Sequence, residues 1–289
     1  MTRARDRPRY VLAAIAVIAC ACGTASNRSV LVEQYQREQL LAQDNYARGR
    51  LLEAMGNFRG ALRDAELMDD RRAQMATWIS MGTVWAQLEE HTEAAEAYDR
   101  ARDLGTAVAD PRLRAFAELG HAETLVATGH AEAAVNLFDS LIGTGSPRDA
   151  ETEARALNGR ARAELVLGRE DSAAADLERA ESLAARSEDP GLLSATLLNR
   201  ARVLSSRGRT AEALELTSRA LQLDRARHLP LAIAIDLELL GELQSQSGDT
   251  AAARASLTRA ARLYHLNGHV KGAARVEEML KAGAFRQAN

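Results

Sequence analysis

The chain has 289 residues, 46% hydrophobic and 27% charged, enough apolar material to bury a core in one elongated domain or two compact ones. Aromatics at 4% and only 5 prolines, set against abundant alanine, leucine, arginine and glutamate, favour helix and disfavour sheet. A net charge of −3 is too near neutral to point to nucleic acid as a partner, and both cysteines, Cys20 and Cys22, stand near the N-terminus, so no disulfide staples the body.

The chain begins with Arg3, Arg5, Arg7 and Arg9, followed by an apolar run from Tyr10 to Ala19. Ten helical residues reach about 15 Å, half of a bilayer core, so the run reads as an export signal rather than a span. Its end, Val17-Ile18-Ala19-Cys20, resembles the lipobox of bacterial lipoproteins: a branched aliphatic at −3, a small residue at −1, then the cysteine that is lipidated. The resemblance implies a signal peptide over 1–19, lipidation at Cys20 and a short tether over 20–29. The alternatives are an ordinary secretory signal or an uncleaved anchor; Cys22, preceded by Ala19-Cys20-Ala21, is a poorer lipidation site. The position after Cys20 is Ala21 and not aspartate, which by the rule of Gram-negative lipoproteins implies the outer membrane, with the body in the periplasm. Removing residues 1–19 takes away four arginines and one aspartate, leaving a body more acidic than the whole chain.

Helical character starts near Val30, and a single helix from about Ser29 to Met55 is expected. Further on, short helical patterns alternate with turn signals. Gly56, Gly129, Gly168, Gly208 and Gly248 line up, with Glu89 in the same place in the second unit. Five residues later each unit has alanine: Ala61, Ala94, Ala134, Ala173, Ala213 and Ala253, spaced 33, 40, 39, 40 and 40 residues apart. A hairpin this short cannot bury both faces alone, so the units must stack. Six are expected, near 42–74, 75–108, 115–148, 154–187, 194–227 and 234–267. Their longer connections fall near Gly143 to Pro147 and Ser187 to Gly191, and Val270 to Ala282 closes the last hydrophobic face as a capping helix.

The pattern resembles the tetratricopeptide repeat. Trp78, Met81-Gly82, Trp85, Ala94, Tyr98 and Ala101 in the second unit, and Leu237, Leu240-Gly241, Ala253, Leu257 and Ala260 in the sixth, stand at that family's signature positions. Units three to five depart at the first-helix glycine, with Ala122, Ala161 and Ala201 there. The resemblance implies an all-α, right-handed superhelical solenoid over 30–289, with a concave surface lined by the first helix of each unit. An unrelated helical bundle is the alternative fold.

Catalytic patterns are missing: there is no phosphate-binding glycine loop, nucleophile elbow, CxxC or HExxH. His265 and His269 are one turn apart, but Gly268 intervenes and no third ligand is evident, so no metal or cofactor is expected. Family analogy puts Tyr46 and Arg50, Ile79 and Thr83, Leu119 and Glu123, Arg155, Asn158 and Arg162, Leu198 and Arg202, and Glu238 and Glu242 on the concave face, with Asn199 one place off. The candidate partner-binding set is Arg50, Arg155, Asn158, Arg162, Asn199 and Arg202. Guanidinium groups beside an amide can grip a partner's carboxylate; alternatively the arginines pair with Glu178 or Glu212, or face solvent. Trp78, Trp85 and Tyr98 either form a peptide pocket or pack the core. The expected function is a non-catalytic, lipid-anchored scaffold binding envelope proteins or peptides, as in repeat-bearing lipoproteins. A ligand-sensing or peptide-sensing regulator is the alternative, and an enzyme subunit a remote one.

Overall fold

The computed structural model describes residues 29–143, 150–187 and 189–282, and every element among them is a helix. Cys20, Cys22, the leader and most of the tether lie outside the described residues, as does most of the connection at 144–149. Among the described residues thirteen helices run in order: α1 (29–47), α2 (Leu51–Leu67), α3 (Arg71–Gln87), α4 (His91–Gly105), α5 (Pro111–Ala127), α6 (Ala131–Leu141), α7 (Ala150–Val166), α8 (Glu170–Ala184), α9 (Pro190–Ser206), α10 (Thr210–Ala226), α11 (Pro230–Gln246), α12 (Thr250–Leu266) and α13 (Val270–Lys281). None of the described helices is long and apolar enough to cross a membrane.

The helices pair as six hairpins followed by α13. Successive helices pack on one another, and the first helices also contact each other directly, α3 with α5, α5 with α7 and α7 with α9. Local chemistry sets the ends. Asp70, Asp110 and Asp249 accept backbone N–H groups at the starts of α3, α5 and α12, and Pro111 and Pro230 fill the first positions of α5 and α11, where no N–H is needed.

The expected helix from Ser29 to Met55 is broken at residues 48–50, because Gly49 adopts φ +75° and α2 starts at Leu51. Gly49, and not Gly56, is therefore the turn glycine of the first unit; Gly56 lies in the middle of α2. The marker alanine becomes Ala54, and the series Ala54, Ala94, Ala134, Ala173, Ala213 and Ala253 then has spacings of 40, 40, 39, 40 and 40. All six are fully buried. The expected short first spacing of 33 came from a slip of seven residues, two helical turns, which returns the same apolar face and so conceals itself.

Four residues past each marker, Phe58, Tyr98, Phe138, Leu177, Thr217 and Leu257 are buried in the groove between helices. Small residues make room for them: a Cβ on Gly82 or Gly120 would run into the ring of Tyr98, one on Gly159 into Phe138, and one on Gly241 into Leu257. Tyr98 is thus seated between its own unit and the next, which is a packing role. Trp78 and Trp85, partly buried, pack against the cluster of Leu51, Met55, Phe58 and Met81. Ion pairs repeat along the stack, Arg72 to Asp110 at 2.8 Å, Arg112 to Glu151 at 3.0 Å and Arg155 to Asp189 at 2.6 Å, each joining the start of one first helix to the next. Such pairs contribute about 0–1 kcal/mol each, so they fix register more than they add stability.

The stack curves until its C-terminal end meets its beginning. His269 Nε2 lies 2.5 Å from the Gln87 carbonyl oxygen, Lys271 Nζ donates to the Glu89 carbonyl at 2.9 Å, and Arg275 Nη1 donates to the Glu89 carboxylate at 2.6 Å. Leu231 joins the apolar cluster of the first two units, and the Asn267 side chain rests against Gly49. Because His269 Nδ1 accepts from the Gly272 N–H at 2.9 Å, its proton belongs on Nε2, facing Gln87. The first helices accordingly line the inside of a closed ring.

Candidate functional site

Closure turns the concave face into a channel of about 470 Å³. Its wall includes Gln87 from the end of α3, Glu123 from α5, Arg162 from α7, Arg202 from α9, Glu238 and Glu242 from α11, and Tyr264 from α12. The seam is held by an ion pair between the partly exposed Arg275 and the buried Glu238. Arg275 donates from Nε and Nη2 to the Glu238 carboxylate at 2.6 and 3.1 Å, and Tyr264 Oη donates to the same group at 2.5 Å. Burial and then the Glu238 charge raise the Tyr264 pKa well above its ordinary value, so the phenol keeps its proton.

The six candidate residues separate by position. Arg50 precedes α2, pairs with Asp44 at 3.3 Å and is not part of the channel wall. Arg155 is held by Glu151 and Asp189 and lies over the Phe116 ring. Asn158 and Asn199 are buried between units: Asn158 Nδ2 donates to Thr196 Oγ1 at 2.8 Å, and Asn199 Nδ2 donates to Asn158 Oδ1 at 3.1 Å. These amides satisfy each other and tie α7 to α9. Asn199 occupies the register of Gly120 and Gly159, which pack against the second helix of the preceding unit.

Arg162 and Arg202 remain. Among the described residues neither has a carboxylate within ion-pair distance; Arg202 has one long contact, Nη1 to Asn199 Oδ1 at 3.4 Å, and Glu212 is taken by Arg209. Both are accessible from the channel. Protein nevertheless crowds Arg202, and this burial, followed by the charge of Arg162, pulls its pKa below the ordinary value. Glu242 shows the converse, its pKa raised by burial and by Glu238. Two guanidinium groups side by side without counter-ions are a ready anion site.

Sequence reasoning missed the seam. His265 pairs with Glu277, whereas His269 caps α13 and reaches Gln87, so the two histidines do separate work. The available signal was Glu89, which stands where four later units have glycine and holds φ +59°. A non-glycine residue there is costly unless its side chain is used, and Arg275 uses it.

The described residues form a solenoid of helical hairpins that closes on itself around an inner channel. Residues 119–190 match the tetratricopeptide repeat family model. Among curated proteins, none matches the sequence. Solved structures of similar fold include the Rap conjugation gene regulator of the plasmid pLS20 in complex with the Phr* peptide, at TM-score 0.66 and 14% identity over 92% of this chain and 80% of that one. A Rap protein complexed with competence and sporulation factor follows at 0.64 and 15%, covering 86% and 74%, and Bacillus thuringiensis PlcR, in complex with the peptide PapR7 and DNA, at 0.64 and 12%, covering 85% and 98%. At these identities the likeness is one of fold.

Proposed function

We propose that this is a non-catalytic peptide-binding protein that takes a short segment of a partner into its inner channel, held in the bacterial envelope by a lipid on Cys20. The observation that carries the binding reading is the closed channel with Arg162 and Arg202 in its wall and no carboxylate engaging either among the described residues. A channel of this volume admits a few residues of extended chain and excludes a folded domain. The structures of similar fold in complex with the Phr* peptide, with the peptide PapR7 and DNA, and with competence and sporulation factor lend support. The lipobox-like Val17 to Cys20 and the Ala21 that follows support an outer-membrane anchor facing the periplasm. A docking scaffold for envelope proteins is the second reading; it would use the outer face, where Leu266 and Val270 are 72% and 75% exposed.

A photo-crosslinking residue at Ile235, in the channel wall, should capture peptides in the full chain, whereas one at Leu266 should not. Crosslinks at Leu266 alone, to intact proteins, would overturn the channel reading in favour of the scaffold. Radiolabelled fatty acid should be incorporated and lost in Cys20→Ala; retained label would refute the anchor site.

A further inference from the structure

The channel charges are not scattered. Glu123, Arg162, Arg202 and Glu242 stand 39, 40 and 40 residues apart, which is the repeat period, so they occupy one position in four successive first helices, α5, α7, α9 and α11. They form a single row around the inner wall, ordered negative, positive, positive, negative. All four line the same channel. Among the described residues no ion pair joins any of them to another or to a third group, although Glu238 and Glu89 nearby both pair with Arg275. A channel wall that sets four unpaired charges in the order negative, positive, positive, negative is organised for a ligand that supplies their complements.

Resting on the reading of the channel as a peptide site, we propose that the ligand is a short extended peptide with an acidic side chain at its centre and a basic one on each flank. The acidic group lies between Arg162 and Arg202, each guanidinium donating to one carboxylate, and the basic groups face Glu123 and Glu242. In an extended chain residues i and i+2 point to the same side, about 7 Å apart, so the order basic-x-acidic-x-basic presents three charges to the row. Four neighbouring axes at about 8–10 Å per step span about 24–30 Å, and the outer residues of an extended pentapeptide stand about 14 Å apart; long lysine and glutamate side chains, converging toward the inside of the curved wall, are required to cover the difference. Both flanking glutamates and the central arginines are accessible or half-buried, so binding trades water for charge-assisted bonds without opening the core.

The test uses the purified full chain and three end-blocked peptides, with affinity read by calorimetry: Lys-Ala-Glu-Ala-Lys, its charge-inverted form Glu-Ala-Lys-Ala-Glu, and the neutral Gln-Ala-Gln-Ala-Gln. The first should bind about tenfold tighter or better than the other two, and Arg162→Gln with Arg202→Gln should abolish that preference while a thermal melt shows the fold retained. Should the double variant fail to fold, Glu242→Gln alone is expected to weaken the first peptide several-fold. Equal binding of all three peptides, or tighter binding of the inverted one, overturns the charge pattern and leaves the channel as a peptide site. If none of the three binds, and Ile235 captures no peptide either, both readings fall together.

Discussion

Asp236 gives the sharpest test of the packing between the fifth and sixth hairpins. It is fully buried on α11, opposite Asp224 on α10, which is 2% exposed. Neither Asp236 oxygen receives a donor from the described residues, whereas Asp224 accepts from Ser194 Oγ at 3.0 Å and from Arg227 Nη1 at 3.3 Å. Burial, followed by the Asp224 charge, pushes Asp236 up from 3.8 to about 8, so at neutral pH it holds a proton and shares it with Asp224. The native state therefore binds one more proton than the unfolded chain between about pH 4 and 8, and stability falls as pH rises through that window and levels off above it. At pH 7 the penalty spans about three units at about 1.4 kcal/mol each, on the order of 4 kcal/mol. Asp236→Asn keeps the shape, donates its amide to Asp224 and removes the penalty. The variant should be more stable than the parent by about 2–4 kcal/mol at pH 7.5, raising the melting temperature by about 5–15 °C, and should lose this advantage at pH 4.5. Urea unfolding followed by circular dichroism at both pH values measures it. Parallel pH profiles for parent and variant would show that Asp236 is ionised in the native protein and would refute the reasoning.

Arg275→Ala leaves the buried Glu238 without its cation and frees Glu89; a loss of about 2–3 kcal/mol is expected, below the full cost of breaking a buried pair because Arg275 is partly exposed, and small-angle scattering should show a larger radius of gyration as the ring opens. Gly129→Ala and Gly49→Ala both place a side chain at positive φ, but only the second also drives a Cβ into Asn267, so urea denaturation should show about 1–2 kcal/mol lost at Gly129 and distinctly more at Gly49. Gly120→Ala forces the Tyr98 ring out of its seat and should cost about 1–3 kcal/mol, measured the same way, with the circular dichroism spectrum remaining helical.

The repeat architecture was legible because it is written in local signals. Gly129, Gly168, Gly208 and Gly248 mark turns at positive φ, and the alanines five residues on are buried without exception. The register of the first unit was harder, since Gly56 and Ala61 sit two helical turns past Gly49 and Ala54 and satisfy the same periodicity. The uniform spacing of about 40 residues already favours Gly49 over Gly56, and the positive backbone angle at Gly49 settles the alignment. The candidate site was read in part. Arg155, Asn158 and Asn199 carry the right chemistry, but whether such groups face a ligand or a neighbouring unit depends on contacts 34 to 41 residues away in sequence. The seam between α13 and the α3–α4 turn joins residues 182 and 186 apart, beyond the reach of any periodic pattern.

That seam changes what kind of solenoid this is. In an open repeat array each unit touches only its neighbours, so stability adds along the chain and the ends fray independently. Here α13 covers the face of α12 and simultaneously grips the turn at Gln87 to Glu90, which couples the last unit to the second. Loosening any hairpin strains the seam, and opening the seam releases the channel. A ligand spanning α5 to α11 would engage four first helices at one level and so resist the same opening motion, without touching the seam itself. Binding and ring closure would then be linked reciprocally: a variant that weakens the seam weakens ligand binding, and bound ligand protects the seam by the same free energy. An open scaffold has no such link, because its concave face is complete whether or not its ends meet.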